Sequence, residues 1–88
     1  MPTYRLVGAQ QDIDATGNDF SSARLVRICN IHTDKHNITV TDASDVTIGT
    51  MTIRAGSELE IEKDYTDKIK SSTTPSAGHL TGTAIAFL

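Results

Sequence analysis

Three histidines are the residues of this 88-residue chain that come closest to a chemical site. His32 and His36 are four residues apart with Asp34 between them, and His79 stands far along the chain. On a helix, this spacing would place both imidazoles on one face and favour a zinc pair. The intervening Thr-Asp-Lys sequence is instead typical of a turn, and no Glu or Cys is placed to complete a tetrahedral ligand set. We therefore expect surface histidines, no metal site and no cofactor.

A row of carboxylates offers a second possible chemistry. Glu58, Glu60 and Glu62 alternate along one short segment. Paired carboxylates perform acid–base chemistry when their environments separate their pKa values. A row on one face of a strand is more simply exposed to solvent, where it also discourages edge-to-edge pairing. The sequence contains no GxSxG turn, CxxC pair or glycine-rich phosphate loop, so we do not expect an enzyme.

Composition argues against two kinds of partner. The net charge is −3, with acidic and basic residues interspersed, so no basic field is available for nucleic acid or an anionic membrane. The aromatic platforms of single-strand binders are also missing. Cys29 is the single cysteine and lies in an apolar run, which predicts a buried free thiol. No apolar segment follows Met1, so we expect synthesis in the cytoplasm without a signal peptide.

The elements that must position these residues are predicted most clearly in the middle of the chain. Apolar residues alternate over 46–53 and again over 57–63, which predicts two strands. The alternation slips by one residue at Gly49, and this favours a β-bulge. Gly56 can adopt the positive φ of a tight turn, so the simplest interpretation is an antiparallel hairpin. A lone hairpin is marginally stable in water, so its apolar face must pack on other strands.

The most apolar run of the chain, residues 23–32, predicts a central strand. Its apolar residues do not alternate cleanly, as expected of a strand that is covered on both faces. A helix is the competing interpretation, but the β-branched residues and the turn-like segment 33–37 count against it. Because residues 38–42 alternate again, we predict a second hairpin over 24–42.

Shorter stretches complete an all-β chain. Residues 3–8 and 80–88 predict the first and last strands. Segment 64–69 leaves two alternatives, a single helical turn or a short strand that carries Ile69. Six or seven short strands separated by turns predict a small antiparallel β-sandwich or barrel, in one domain spanning residues 1–88.

Several segments also carry a family resemblance. The more specific ones are Ile48-Gly49-Thr50 with Thr52-Ile53, the turn Arg54-Ala55-Gly56, and Glu62-Lys63 followed by Thr66-Asp67-Lys68-Ile69. With the N-terminal PTYRLVGAQQDI and the run RICNIH, this layout resembles small structural proteins of tailed phages, particularly those infecting marine cyanobacteria. The resemblance spans nearly the whole chain. It implies a capsid decoration or cement-like virion protein, and none of these motifs is a catalytic signature.

A decoration protein acts by binding, so partner contacts replace an active site. We expect it in the virion, bound to the major capsid protein or other virion proteins. The alternatives are a neck or tail accessory protein and a carbohydrate-binding or adhesion module. The thin core, with two Phe, no Trp and thirteen Thr, favours a multi-copy protein or a homo-oligomer. Candidate contacts are Phe20 in the loop 10–22, Tyr65, and Pro75 in the loop 71–78.

Overall fold

Eight β-strands form the secondary structure of the described part of the chain. The computed structural model describes residues 3–72 and 78–87, and within them there is no helix, hence none that could cross a membrane. The strands are β1 (Tyr4–Leu6), β2 (Gln11–Asp12), β3 (Leu25–Asn30), β4 (His36–Thr41), β5 (Thr47–Ile53), β6 (Glu58–Glu62), β7 (Lys68–Ser71) and β8 (Leu80–Phe87). The all-β prediction is confirmed. The additional strand is the two-residue β2, which is too short to leave an alternating pattern in the sequence.

The strands form two antiparallel sheets. The five-stranded sheet has the order β1-β8-β3-β6, and β2 also pairs with β8. The three-stranded sheet has the order β5-β4-β7. Both sheets contribute to one hydrophobic core, as in a small β-sandwich. The buried members of this core are Ile13, Phe20, Val26, Ile28, Ile38, Ile53, Ile69 and Leu80.

Both predicted hairpins are wrong, although their strands exist. β5 pairs with β4 and β6 pairs with β3, so the turn at 54–56 carries the chain from one sheet to the other. In the same way, β3 and β4 follow each other in the chain but lie in different sheets. Gly56 has the expected positive φ of 74°. A tight turn reverses the chain in either arrangement, so its residues alone do not decide which strand pairs with which.

One buried residue forms hydrogen bonds to both of the connections that cross between the sheets. Asn30, which is fully buried, donates from its amide to the carbonyl oxygens of Asp34 at 3.0 Å and of Ile53 and Arg54 at 3.3 Å each. Its backbone accepts from Gly56 N at 2.8 Å and donates to Ser57 O at 2.9 Å. These bonds satisfy backbone groups at the points where the chain leaves one sheet for the other. Burial without such partners would cost about 1–3 kcal/mol for each group.

The irregularity predicted at Gly49 is present. Val40 lies opposite Gly49 while Thr41 lies opposite Thr47, so Ile48 is the extra residue on β5. The slip in alternation therefore reports a real shift in register, and the prediction of a bulge is confirmed.

The loop 10–22 is fixed to the core by its two large apolar residues. Ile13 and Phe20 are each 1% exposed. Phe20, Ser21 and Ser22 have positive φ values of 53°, 58° and 64°, a left-handed turn closed by a 3.2 Å bond from Ala23 N to Asp19 O. This conformation is unfavourable for L-residues, and burial of the Phe20 ring offsets its cost.

Phe20 packs directly over a glycine of β8. A Cβ atom added at Gly82 would lie 2.6 Å from Phe20 Cζ and 3.1 Å from Val26 Cγ1. The absence of a side chain at Gly82 thus makes room for the aromatic ring. The C-terminal strand is docked as predicted, since β8 pairs with β1, β2 and β3.

The burial of side chains tests two further predictions, one for β3 and one for segment 64–69. β3 is central as predicted, but its burial alternates: Val26 and Ile28 face the core, whereas Arg27 and Cys29 are half-buried on the outer face. The prediction of cover on both faces is wrong, because only one face meets the second sheet. Of the two alternatives for segment 64–69, the strand is correct: Ile69 lies on β7 and is fully buried.

Candidate functional site

The most unusual surface of the molecule lies on β5. This strand is at the edge of the three-stranded sheet and carries no charged residue. Val46 and Ile48 are each 60% exposed and Met51 is 48% exposed, whereas Ile53 is buried. The alternation over 46–53 predicts that these residues pack against other strands. This prediction is correct for Ile53 and wrong for Val46, Ile48 and Met51, whose side chains stay exposed at the edge of the sheet.

An apolar groove continues this surface into the mouth between the two sheets. Its volume is about 240 Å³. Ile61 of β6 lies on the opposite side of the mouth from Met51 of β5. The full lining is Ile38, Val40, Gly49, Thr50, Met51 and Ile61. We call the exposed side chains of Val46, Ile48 and Met51, together with this groove, the β5 surface.

The other edges of the two sheets carry protective charges. β6 presents its three glutamates outward, as predicted, while Leu59 and Ile61 pack on the core. β7 carries Lys68 and Lys70, and β1 is three residues long and contains Arg5. Charged and very short edge strands prevent association with other chains. Among the edges formed by the described residues, β5 is the one without such protection.

The glutamate row is neutralised in part by the neighbouring strand. Arg27 forms an ion pair with Glu58, and its guanidinium lies 3.7 Å from Glu60. The hydrogen bond from Arg27 lowers the pKa of Glu58, and the same bond raises the pKa of Arg27. The guanidinium also lies 5.2 Å from the centroid of the Tyr4 ring, a cation–π distance. These contacts match a structural ion-pair network on the outer face of the sheet.

Cys29 joins this network as a hydrogen-bond donor. Its thiol donates to Glu58 Oε2 at 3.3 Å. Cys29 is a free cysteine, as predicted, but it is half-buried rather than buried, because the outer face of β3 meets no second sheet. Burial and the neighbouring carboxylate both raise the pKa of the thiol. A raised pKa reduces the thiolate fraction, so this environment does not activate a nucleophile.

The three histidines lie together, which their separation in the sequence did not indicate. The ring centroids of His32 and His36 are 5.1 Å apart, and those of His32 and His79 are 4.5 Å apart. His32 Nδ1 and His36 Nε2 are 3.0 Å apart, so one of them donates to the other. The rings are stacked and half-buried, unlike the separate surface histidines we expected. No group of three His, Cys, Asp or Glu residues in the described ranges is arranged to hold a metal ion.

The proposed contact residues fall into three different situations. Phe20 lies inside the core, so its side chain is not presented to a partner and its assignment as a contact is corrected. Tyr65 is 53% exposed, with the Arg24 guanidinium 5.8 Å from its ring centroid. Pro75 lies outside the described residues.

Sequence reasoning missed the β5 surface for a physical reason. Its residues have the same alternation as a buried strand, and alternation reports which residues share a face, not whether a second layer covers that face. The useful signal was the lack of charge over 46–53, flanked by Asp45 and Arg54, which distinguishes this edge from the glutamate-rich one.

The fold and its exposed edge define a small antiparallel β-sandwich that carries a candidate binding surface. Comparison of the chain with known protein families, with curated proteins and with solved structures finds no match. The function must therefore be argued from the surface itself.

Proposed function

We propose that this chain is a structural protein of a tailed-phage virion and that it decorates the head shell as a cement protein. The observation that carries the proposal is the β5 surface, an apolar edge, whereas the other edges formed by the described residues are charged or very short. Exposed apolar surface of this kind is typical of a protein that works by association. The resemblance of the sequence to phage structural proteins gives the class of assembly.

The mechanism is binding without chemistry. Each copy would bury part of its surface against the major capsid protein or another virion protein, and many copies would raise the barrier to rupture of the shell. Tyr65 is the best-placed anchor toward the shell, because its ring is exposed and lies beside the Arg24 guanidinium. Tyrosine and arginine are enriched among the residues that dominate interface energies.

Purified particles provide the direct test. We expect a 9.5 kDa band present in many copies relative to the major capsid protein. Particles assembled without the chain should form normally but release their genome at lower temperature or under milder osmotic shock. If such particles are equally robust yet lack tails or fail to adsorb, the neck or tail alternative is correct. A band absent from washed particles would contradict the proposal as a whole.

A point variant tests the role of Tyr65 in shell binding. Tyr65→Ser should reduce binding to particles that lack the chain by about tenfold or more, as expected for an aromatic anchor. Leu6→Ser is the matched control, because Leu6 is 68% exposed and lies on β1 rather than in the β6–β7 turn that holds Tyr65. Equal binding by both variants would show that the shell contact lies elsewhere.

A second candidate function, glycan binding, is favoured by one feature of the outer face. Hydroxyl and amide groups surround a shallow depression of about 420 Å³, lined by Asn37, Thr39, Thr50, Met51, Thr52 and Ser72. Polar groups of this kind match sugar hydroxyls, although no aromatic ring lines the depression. Retention of the chain on immobilised glycans, lost in Thr52→Val and kept in Thr66→Val, would support this function over shell decoration.

A further inference from the structure

We propose that β5 pairs antiparallel with β5 of a second copy, forming a two-fold dimer through the β5 surface. The pairing would join two three-stranded sheets into one continuous sheet. This inference goes beyond the virion role and does not depend on it, because it follows from properties of the strand alone.

The length and composition of β5 permit such pairing. β5 has seven residues and contains no proline, and among the described residues β4 is the strand with which it pairs. Successive residues of a strand direct their backbone N–H and C=O groups alternately to its two sides, so the outer side of β5 offers donors and acceptors that β4 does not use. The extra residue Ile48 lies near the start of the strand, and the stretch 49–53 keeps a regular register with β4. A regular stretch of this length can template a further strand.

The charges that flank the strand favour a second copy as the occupant. Asp45 precedes the uncharged stretch 46–53 and Arg54 follows it. When two such strands run antiparallel about an axis near Thr50, Asp45 of each copy lies next to Arg54 of the other. Arg54 forms no ion pair with any residue of the described ranges, whereas Asp45 lies 3.4 Å from Lys68 Nζ. A two-fold interface repeats this attraction at both ends, since the same patch is used by both copies.

The apolar side chains add the burial that the pairing needs. Ile48 and Met51 occupy the centre of the stretch, and both are about half exposed or more in the single chain. Pairing would cover them together with the mouth of the groove, which contains Ile61. No like charges would be brought together along β5, because the stretch 46–53 carries none. An interface of this kind removes apolar surface from water without burying an unpaired charge.

The oligomeric state of the purified chain tests the inference. Sedimentation equilibrium over a range of concentrations should show a reversible dimer. Ile48→Lys should raise its dissociation constant by about tenfold or more, since a lysine on the edge strand opposes pairing and would carry an unpaired charge into the apolar interface. Ile31→Lys is the matched control: Ile31 is 70% exposed and lies outside β5, so the dimer should persist. Circular dichroism should show the same β signal for both variants, which separates lost association from lost folding.

Charge reversal tests the proposed register. Arg54→Glu should weaken the dimer, and the difference should shrink at high salt. Lys35→Glu makes the same change of charge in the β3–β4 connection and should leave the dimer unchanged. A wild-type chain that stays monomeric at all concentrations would overturn the inference. If such a monomer binds phage particles and Ile48→Lys abolishes that binding, the β5 surface takes a foreign partner, so the dimer fails while the virion role stands.

Discussion

Strands β3 and β5 both carry isoleucine at apolar positions but have opposite surroundings. β3 lies between β6 and β8, and its Ile28 is fully buried. β5 lies at the edge of the smaller sheet, and its Ile48 is 60% exposed. The same side chain therefore stabilises the fold in one strand and is available for association in the other. The contrast indicates that the position of a strand in its sheet, rather than the isoleucine itself, decides whether the side chain is buried or exposed.

Alanine substitution of the two isoleucines is the strongest test of this contrast. Ile28→Ala should lower the free energy of unfolding by about 2–5 kcal/mol, because it loses buried surface and leaves a cavity. Ile48→Ala should change it by no more than about 0.5 kcal/mol, as usual for an exposed site. Chemical denaturation at low protein concentration, where the chain is monomeric, measures both. Equal losses would mean that the β5 surface is covered within the single chain.

Two glycines extend the comparison to the backbone. Gly82→Ala should cost about 1–3 kcal/mol, because the new methyl group would collide with Phe20 in a filled core. Gly49→Ala is the control on β5: nothing lies within 4 Å of an added Cβ atom, so we expect a change within about 0.5 kcal/mol. Thermal melts of the two variants provide the measurement. An unchanged melting temperature in Gly82→Ala would show that the Phe20 ring can move aside at little cost in stability.

The left-handed turn after Phe20 allows a smaller test with the opposite sign. Ser21 has a positive φ of 58°, a conformation that glycine adopts without steric cost. Ser21→Gly should therefore raise the free energy of unfolding by up to about 1 kcal/mol. The gain is smaller than the strain energy that is removed, because glycine loses more conformational entropy on folding than serine. Ser44→Gly, in the turn before β5 where φ is not positive, should not stabilise the chain. Destabilisation by Ser21→Gly would contradict the proposed strain.

The smallest expected effect concerns pH and the outer face of β3. The pKa of Glu58 is lowered in the folded chain by its hydrogen bond from Arg27. The pair therefore contributes stability at pH values above the ordinary glutamate value of 4.5, and this contribution is lost as the pH falls through the lowered folded value. Wild type should exceed Glu58→Gln in stability at neutral pH and lose this advantage in acid. Glu62→Gln, opposite Leu25, is the control. An advantage that persists in acid would exclude the ion pair as its source.

Local patterns predicted much of the fold. Alternation located β1, β4, β5, β6 and β8, the apolar run at 23–32 located β3, and β7 was one of two alternatives left open for segment 64–69. The slip at Gly49 located the bulge, and Leu59 and Ile61 were assigned to the correct face. These predictions succeed because successive side chains along a strand point to opposite faces of the sheet. The candidate site was less predictable: of the proposed contacts, Tyr65 is exposed, whereas Phe20 lies in the core.

Residue order determines that the chain forms strands, where most of them lie, and which residues share a face, although the two-residue β2 leaves no pattern. The pairing of the strands depends on the three-dimensional fold, because the turns at 54–56 and 31–35 permit either a hairpin or a crossing between sheets. At the crossing from β5 to β6, the Asn30 amide donates hydrogen bonds to the carbonyl oxygens of Ile53 and Arg54. These two partners are distant from Asn30 in the sequence. Tertiary structure also left the apolar residues of β5 exposed, since burial depends on what lies above a face and not on the residues that form it.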